Sequence, residues 1–276
     1  ITNKKNLNSH ISKNIRIEGV NNKLKNTSFL FKYNDLERLE YLLKKKKIGI
    51  IKMEVERNLK PQNNFLKKVR FLANRYKAVL IFDECTSGFR QSLGGLYKDY
   101  DVTPDIVTYG KAIGNGYGIT AVVGKKKIMK SCEETFISST FWSERIGFVA
   151  ALETIKIMEE KKTWKTVKKL GKYIKKRWSQ LSKKNNLKIE IFGIDAIPQF
   201  KFKKNHNLLK SYITDQMLKK NILATTMIYV SIAHKKKIID SYMKELDAIF
   251  FKISKMKNIK SEIKIDEAHS EIKRLN

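Results

Sequence analysis

Two residues of this chain have the types and positions to do chemistry together, Asp83 and Lys111. An apolar run over residues 78–82 ends on the carboxylate of Asp83, and a second, Ile106–Tyr109, is followed after Gly110 by the amine of Lys111. Short β-branched, aliphatic and aromatic runs bounded by polar segments have the composition of buried parallel strands. Ligands of open α/β sheets bind beyond the carboxyl ends of the strands, so two side chains 28 positions apart can converge on one crevice. A lysine desolvated in such a crevice is a nucleophile for a carbonyl carbon and afterwards a base. A carboxylate beside it keeps a basic nitrogen protonated or holds a metal ion. The pattern predicts that both the acid and the amine are buried.

The two readings of Asp83 separate on what surrounds it. AVLIFDE has the apolar-strand-plus-acids form of a magnesium-binding nucleotide site, but that reading needs a phosphate loop. The nearest candidate, GITAVVGKK at 118–126, has five residues between its glycines and a lysine where Ser or Thr should stand. Lys111 is one of many lysines and on its own reads as a surface charge. It sits, however, among Gly110, Gly114, Gly116 and Gly118, which let backbone approach a ligand closely.

The segment IFDECTSGFR, 81–90, followed by TPDIVTYGKAIGNGYGITAVVG, 103–124, resembles the pyridoxal-phosphate segment of class III aminotransferases. The glutamate-1-semialdehyde aminomutase-like branch is the nearest. The resemblance continues through FISSTFWSERIGFVAALETI, 136–155, and covers residues 29–160 well and the remainder weakly. It implies an α/β chain of fold type I: a large domain with a mostly parallel sheet, incomplete here, and a smaller α+β C-terminal domain. It implies that Asp83 pairs with the pyridine nitrogen of pyridoxal 5'-phosphate and that Lys111 carries the cofactor as a Schiff base. It further implies that Thr140 reaches across a homodimer interface to the cofactor phosphate of the other subunit, where the plain alternative is a helix-entry turn capped by Ser143.

Other positions are left more open. Cys85 and Thr86 stand where the family usually has valine and a glutamine or methionine; Cys85 can supply an apolar contact under the ring and Thr86 a shorter reach to the ring hydroxyl. Glu54 matches a family position near the pocket, or is a structural hydrogen-bond partner at a strand end. Arg90 is a carboxylate anchor or an ion-pair partner, with a lean to the latter. His234 lines the entrance or caps a turn. The family is longer at its N-terminus, and no Gly/Ser/Thr-rich phosphate turn stands before Phe29, so a truncated chain with weak cofactor binding is expected.

The 276 residues, 42% of them hydrophobic, suffice for a real core. A formal charge of +31 invites a nucleic-acid reading, but only nine of the 58 basic residues are arginine and they are spread along the chain. Specific nucleic-acid binding is not expected. The two cysteines, Cys85 and Cys132, form neither a disulfide framework nor a zinc pattern, and no metal site is expected. No apolar run reaches the length of a membrane span and no leader opens the chain, so a cytoplasmic protein is expected.

Along the chain, residues 1–27 read as a poorly ordered segment, 28–180 as the cofactor-binding part, 181–255 as the small domain and 256–276 as a frayed tail. FLFKY, 29–33, reads as a strand; Asn34 as the cap of a helix with Leu36, Leu39, Leu42 and Leu43 inward; IGIIKMEVER as a strand; and Pro61 as the start of a helix with Phe65, Val69 and Leu72 on one face. Phe148, Ala151, Leu152, Ile155 and Met158 form the expected buried stripe of a helix from Arg145. After a lysine-rich helix come short strands at KIEIFG and QFKFK, a helix at 207–219, a strand at ILATTMIYVS and a helix over Lys236–Lys255. The expected activity is amino-group transfer between an amino donor and a carbonyl compound. A 1,2-aminomutase with the same apparatus and a silent fragment are its rivals.

Overall fold

The computed structural model describes residues 27–267, so the expectations for 1–26 and for the end of the tail, 268–276, lie outside the described residues. Its centre is a four-stranded sheet in the order β1 (Ile50–Met53), β2 (Val79–Asp83), β3 (Ile106–Tyr109) and β4 (Ala121–Gly124). The first three strands are parallel and β4 returns antiparallel to β3. The mostly parallel α/β sheet is therefore as expected, and the stretch that could have been a phosphate loop is β4.

The α1 helix (Leu36–Lys45) and α2 (Phe65–Arg75) precede β1 and β2 and bury Leu39, Leu42 and Leu43, and Phe65, Val69 and Leu72, respectively. Three local readings are corrected. Residues 29–33 form no strand; Tyr33 is buried instead and donates its hydroxyl to the Val55 carbonyl. Asp35, not Asn34, caps α1, its carboxylate accepting from the Arg38 amide at 2.9 Å. Asn34 adopts φ 68° and uses its side chain to tie Lys60 and Gln62. The next helix starts at Phe65 rather than Pro61, because Asn63 and Asn64 are both left-handed and cannot continue a helix from the proline.

Beyond β4 and a short α3 (Lys126–Met129) run α4 (Arg145–Lys161) and α5 (Thr163–Lys184). The cap of α4 is Glu144, which accepts from the Ile146 amide, and not Ser143. Its buried stripe is also corrected: Phe148 and Leu152 are 56% and 69% exposed, while Gly147, Ala151 and Met158 face inward. The cause is close approach. A Cβ on Gly147 would stand 2.9 Å from the Gly118 carbonyl, so α4 lies against the 114–119 turn through its small residues and its large ones point away.

The remainder pairs β5 (Ile189–Phe192) with β6 (Gln199–Phe202) antiparallel and adds α6 (His206–Leu218), α7 (Lys236–Lys255) and α8 (Ile259–Glu262). The strand expected over 222–231 is reduced to one bridge, Gln199 to Met227. The segment does run beside β6, with amides of Phe200, Ile228 and Val230 bonded to the carbonyls of Thr226, Pro198 and Ala196. Pro198 has no N–H to return, which breaks the ladder. The tail after Lys255 is not simply frayed: α8 is capped by Asn258, and Ile263 is buried. One continuous core joins Leu80 and Phe82 of the sheet to Trp178, Phe200 and Phe250, whose rings meet edge to face at 4.8 and 5.8 Å.

Candidate active site

β2 and β3 end side by side, Asp83 opposite Thr108 in register, so their acid and amine leave the sheet at the same edge. Asp83 accepts from the Cys85 amide at 3.2 Å and lies 3.2 Å from the Lys52 ammonium of β1. Burial alone would raise its pKa; the Cys85 amide and Lys52 outweigh that and hold the carboxyl below its ordinary range. It is thus an anion, half-buried rather than deeply buried.

The turn that follows is fixed by Glu84. This fully buried carboxyl accepts from the Ser87 hydroxyl and, at 2.9 Å, from the Tyr97 amide; burial pushes its pKa up and these bonds oppose the rise. Gly88 bonds back to the Glu84 carbonyl and passes so close to Tyr109 that a Cβ would sit 2.6 Å from the ring. Cys85 is half-buried, with its sulfur 3.7 Å from the Thr108 hydroxyl oxygen, and burial raises its thiol pKa.

Thr86 is where the site converges. It is buried, and its hydroxyl oxygen accepts from Lys111 Nζ at 2.8 Å and from Arg57 Nη1 at 3.2 Å. The same Arg57 nitrogen is 3.2 Å from Glu54. Arg90 donates from Nε to the Thr86 carbonyl at 2.7 Å and lies 4.9 Å from the centre of the Tyr229 ring; it has no carboxylate partner among the described residues. Of the two readings left open for Arg90, the ion pair is therefore absent there.

Lys111 itself adopts φ 51°, a left-handed conformation that costs an ordinary residue roughly 1–3 kcal/mol and clusters at functional positions. Gly114 makes the turn possible: a Cβ there would collide with the Tyr117 carbonyl at 2.2 Å. Around Gly116 and Gly118 there is open space. The expectation of a buried amine is not met, because no described residue covers this side of the turn and Lys111 is exposed. A cavity of about 300 Å³ is lined by residues of this turn, Ala112, Asn115 and Tyr117, together with Phe89, Arg90 and Val230 among others.

Two candidates stand apart from this group. Thr140 lies on an exposed segment and is in no described contact with Lys111 or Thr86. His234 closes the turn before α7, its Nδ1 accepting from the Ser231 amide at 3.0 Å, which is the capping alternative. Two participants went unread in the sequence, Lys52 and Arg57. Alternation along IIKMEVER puts Lys52 and Glu54 on one face and could have disclosed the first; Arg57 follows the strand, and nothing local announces its contact 29 positions away.

An ionised carboxylate and a primary amine at adjacent strand ends fit a group that offers a basic ring nitrogen to one and an aldehyde to the other. No three His, Cys, Asp or Glu side chains gather as a metal site among the described residues.

Residues 58–267 match the family described as aminotransferase class-III. The chain is 36% identical over 220 residues to a 3-aminobutyryl-CoA aminotransferase of Cloacimonas acidaminovorans, covering 74% of this chain and 52% of that protein. It is 35% identical over 189 residues to a glutamate-1-semialdehyde 2,1-aminomutase of Sulfurisphaera tokodaii, covering 66% and 45%. It thus spans about half the length of these curated relatives. In three dimensions it is similar to the FumI protein of Sphingopyxis sp. MTA144, solved as its PLP internal aldimine form (TM-score 0.80, 21% identity, 86% of this chain and 60% of that one). It is similar also to an omega-transaminase of Sphaerobacter thermophilus (TM-score 0.76, 18% identity, 87% and 60%).

Proposed function

The chain belongs to the class-III aminotransferase family, whose cofactor is pyridoxal 5'-phosphate, and from that premise we propose that it transfers an amino group between an amino donor and a carbonyl compound through Lys111. The observation that carries the assignment is the strained Lys111 at the end of β3, beside the ionised Asp83 of β2 and hydrogen-bonded to Thr86.

When bound, the cofactor supplies a protonated pyridine ring that draws electrons from the carbon bearing the substrate nitrogen. Asp83 would hold that ring proton, and its depressed pKa suits an acid that must stay charged. Lys111 Nζ would bind the cofactor covalently and, once released by substrate, carry the proton to and from the reacting carbon. Thr86 aims that amine, and Cys85 offers a small apolar surface beside it. The cavity next to Arg90 would take the rest of a small substrate, with Glu54 acting through Arg57.

Residues 28–180 would form the cofactor-binding part and 181–255 the smaller part. A homodimer with a shared site is supported by the apolar surface of Phe141, Trp142, Phe148, Val149 and Leu152, next to Thr140 in sequence and more than half exposed in each case. In that dimer Thr140 would face the partner's cofactor phosphate. The free thiols of Cys85 and Cys132 suit a reducing cytoplasm.

Lys111→Ala is expected to abolish covalent cofactor attachment and transamination. Borohydride reduction and peptide mapping of the parent checks it, and label on a different lysine overturns the assignment. The identity shared with an aminomutase favours one second reading, an internal amino shift. A keto acid released in proportion to donor consumed identifies the transferase, and retention of the nitrogen in the product identifies the mutase.

A further inference from the structure

The acid on which the proposed chemistry depends is already engaged at both oxygens. Oδ1 of Asp83 accepts from the Cys85 amide at 3.2 Å, and Oδ2 lies 3.2 Å from the Lys52 ammonium. Strand geometry sets up the second contact. Burial alternates along β1, with Ile50 and Lys52 exposed and Ile51 and Met53 buried, and Lys52 stands in register with Ile81, two residues before Asp83 on the same face of β2. Among the described residues, Asp83 is the one acid in ion-pair contact with Lys52, and Lys52 the one cation in ion-pair contact with Asp83.

By itself this pair is useful, because Lys52 helps the Cys85 amide to keep the carboxyl ionised against the effect of burial. A protonated ring nitrogen brought to the same carboxyl changes its meaning. The ring is a second cation, and one negative charge then has to serve both. The Cys85 amide stays, being part of the turn after β2, whereas the Lys52 side chain is 58% exposed and can swing into water. Either Lys52 withdraws and gives up its ion pair, or it stays and stands beside a like charge. Both lower the affinity for the ring.

We propose that Lys52 competes with the ring nitrogen of the cofactor for Asp83, and so limits how tightly the cofactor is held. The proposal rests on the reading of Asp83 and Lys111 as the pair that holds the cofactor. Lys52 acts through Asp83 and touches no reacting atom, and its exposed place on β1 means that it can be replaced without disturbing the core. The opposition it provides makes cofactor affinity respond to ionic strength, since an exposed pair is screened by salt.

The parent chain, Lys52→Met, Lys52→Arg, Asp83→Asn and the double variant carrying Lys52→Met with Asp83→Asn are titrated with pyridoxal phosphate and with its deaza analogue, in which a C–H replaces the ring nitrogen. Borohydride labelling of Lys111 is mapped in parallel. An exposed ion pair is worth up to about 5-fold in an equilibrium constant, and a like charge left beside the ring a similar factor. Lys52→Met is therefore expected to bind pyridoxal phosphate about 3–10-fold more tightly than the parent, and to gain nothing toward the deaza analogue. The gain should fall to within about twofold when Asp83 is already asparagine, and shrink as salt is raised from about 0.05 to 1 M. Lys52→Arg keeps the charge and is expected to stay within about twofold of the parent.

Equal or weaker binding of pyridoxal phosphate by Lys52→Met, with Lys111 still labelled, overturns the proposal and leaves Lys52 a support of Asp83. An equal gain toward the deaza analogue, or one undiminished beside Asp83→Asn, overturns it too, because the effect then bypasses the ring nitrogen or the acid. So does a gain in Lys52→Arg as large as in Lys52→Met, which would trace it to shape and not to charge. A parent that takes up no cofactor, or labels a lysine other than Lys111, sinks the underlying reading, and this proposal with it.

Discussion

Asp105, one residue before β3, is the point at which the strands that carry the site are locked, and replacing it with asparagine measures that lock. Its side chain is 9% exposed. One oxygen accepts from Arg70 at 2.7 Å and from the Leu80 amide at 2.8 Å, and the other from Lys125 at 2.7 Å. These bonds fasten α2, β2 and the end of β4 to the start of β3. Asparagine keeps the volume and the bond from Leu80 but leaves Arg70, 15% exposed, without a carboxylate. Removing one partner of a buried pair costs about 3–5 kcal/mol, the half-exposed Lys125 adds no more than about 0.5, and the bond that Arg70 keeps to the Asn74 side-chain oxygen at 2.6 Å places the loss at the low end. The net loss is about 3 kcal/mol, or roughly 6–12 °C in Tm for a chain of this size.

Thermal unfolding followed by circular dichroism reads that loss, and the pH dependence checks its cause. Burial would raise the Asp105 pKa, but the Leu80 amide, Lys125 and Arg70 outweigh it and hold it low. A carboxyl depressed by folding contributes its stability above the unfolded pKa, about 4, and loses it as pH falls through the folded value. Parent and variant should therefore differ fully at neutral pH and converge below about pH 4. A Tm within about 2 °C of the parent at pH 7 would refute the reasoning, as would a gap that persists undiminished into strong acid.

Asp83→Asn is expected to leave the melting temperature nearly unchanged, because its partner Lys52 is 58% exposed and an exposed ion pair contributes about 0–1 kcal/mol, yet to remove most transamination; near-parental turnover would contradict the role of the acid. Phe148→Glu with Leu152→Glu is expected to shift the chain from dimer to monomer in analytical ultracentrifugation without lowering Tm, since both residues are exposed; an unchanged sedimentation coefficient counts against that face as the interface.

What was legible in the sequence was whatever depends on neighbours along the chain. The continuous apolar run and its terminal acid disclosed β2 and Asp83, and the glycines around Lys111 disclosed a turn; α7 follows the spacing of Ile239, Met243, Leu246 and Phe250. What failed depends on partners far away. The stripe of α4 reads as amphipathic whichever side is covered, and only the contact of Gly147 with Gly118 decides that the large side chains face out. The segment at 222–231 has the apolar content of a strand, but Pro198 on the opposite side denies it a ladder. Asn34 and Asp35 are both good caps by type, and the bonds of Asn34 to Lys60 and Gln62 settle which of them is left to cap α1.

The same distinction explains why the strand-end positions of the acid and the amine were legible while the contacts that hold them were not. Asp83 and Lys111 must each stand at a strand end, and strand ends are local features. Holding them in a fixed relation takes Glu84, which ties the turn after β2 to Tyr97; Gly88, which lets that turn close over Tyr109; and Thr86, which fixes the amine. Each of these works through a residue at least 13 positions away, so no window of sequence shows it. The engagement of Asp83 with Lys52 belongs to the same class and is easily reversed. An ammonium more than half exposed gives up little when it returns to water, so the carboxylate is held ionised at rest and, in the function proposed, would be released to a ring nitrogen at little cost.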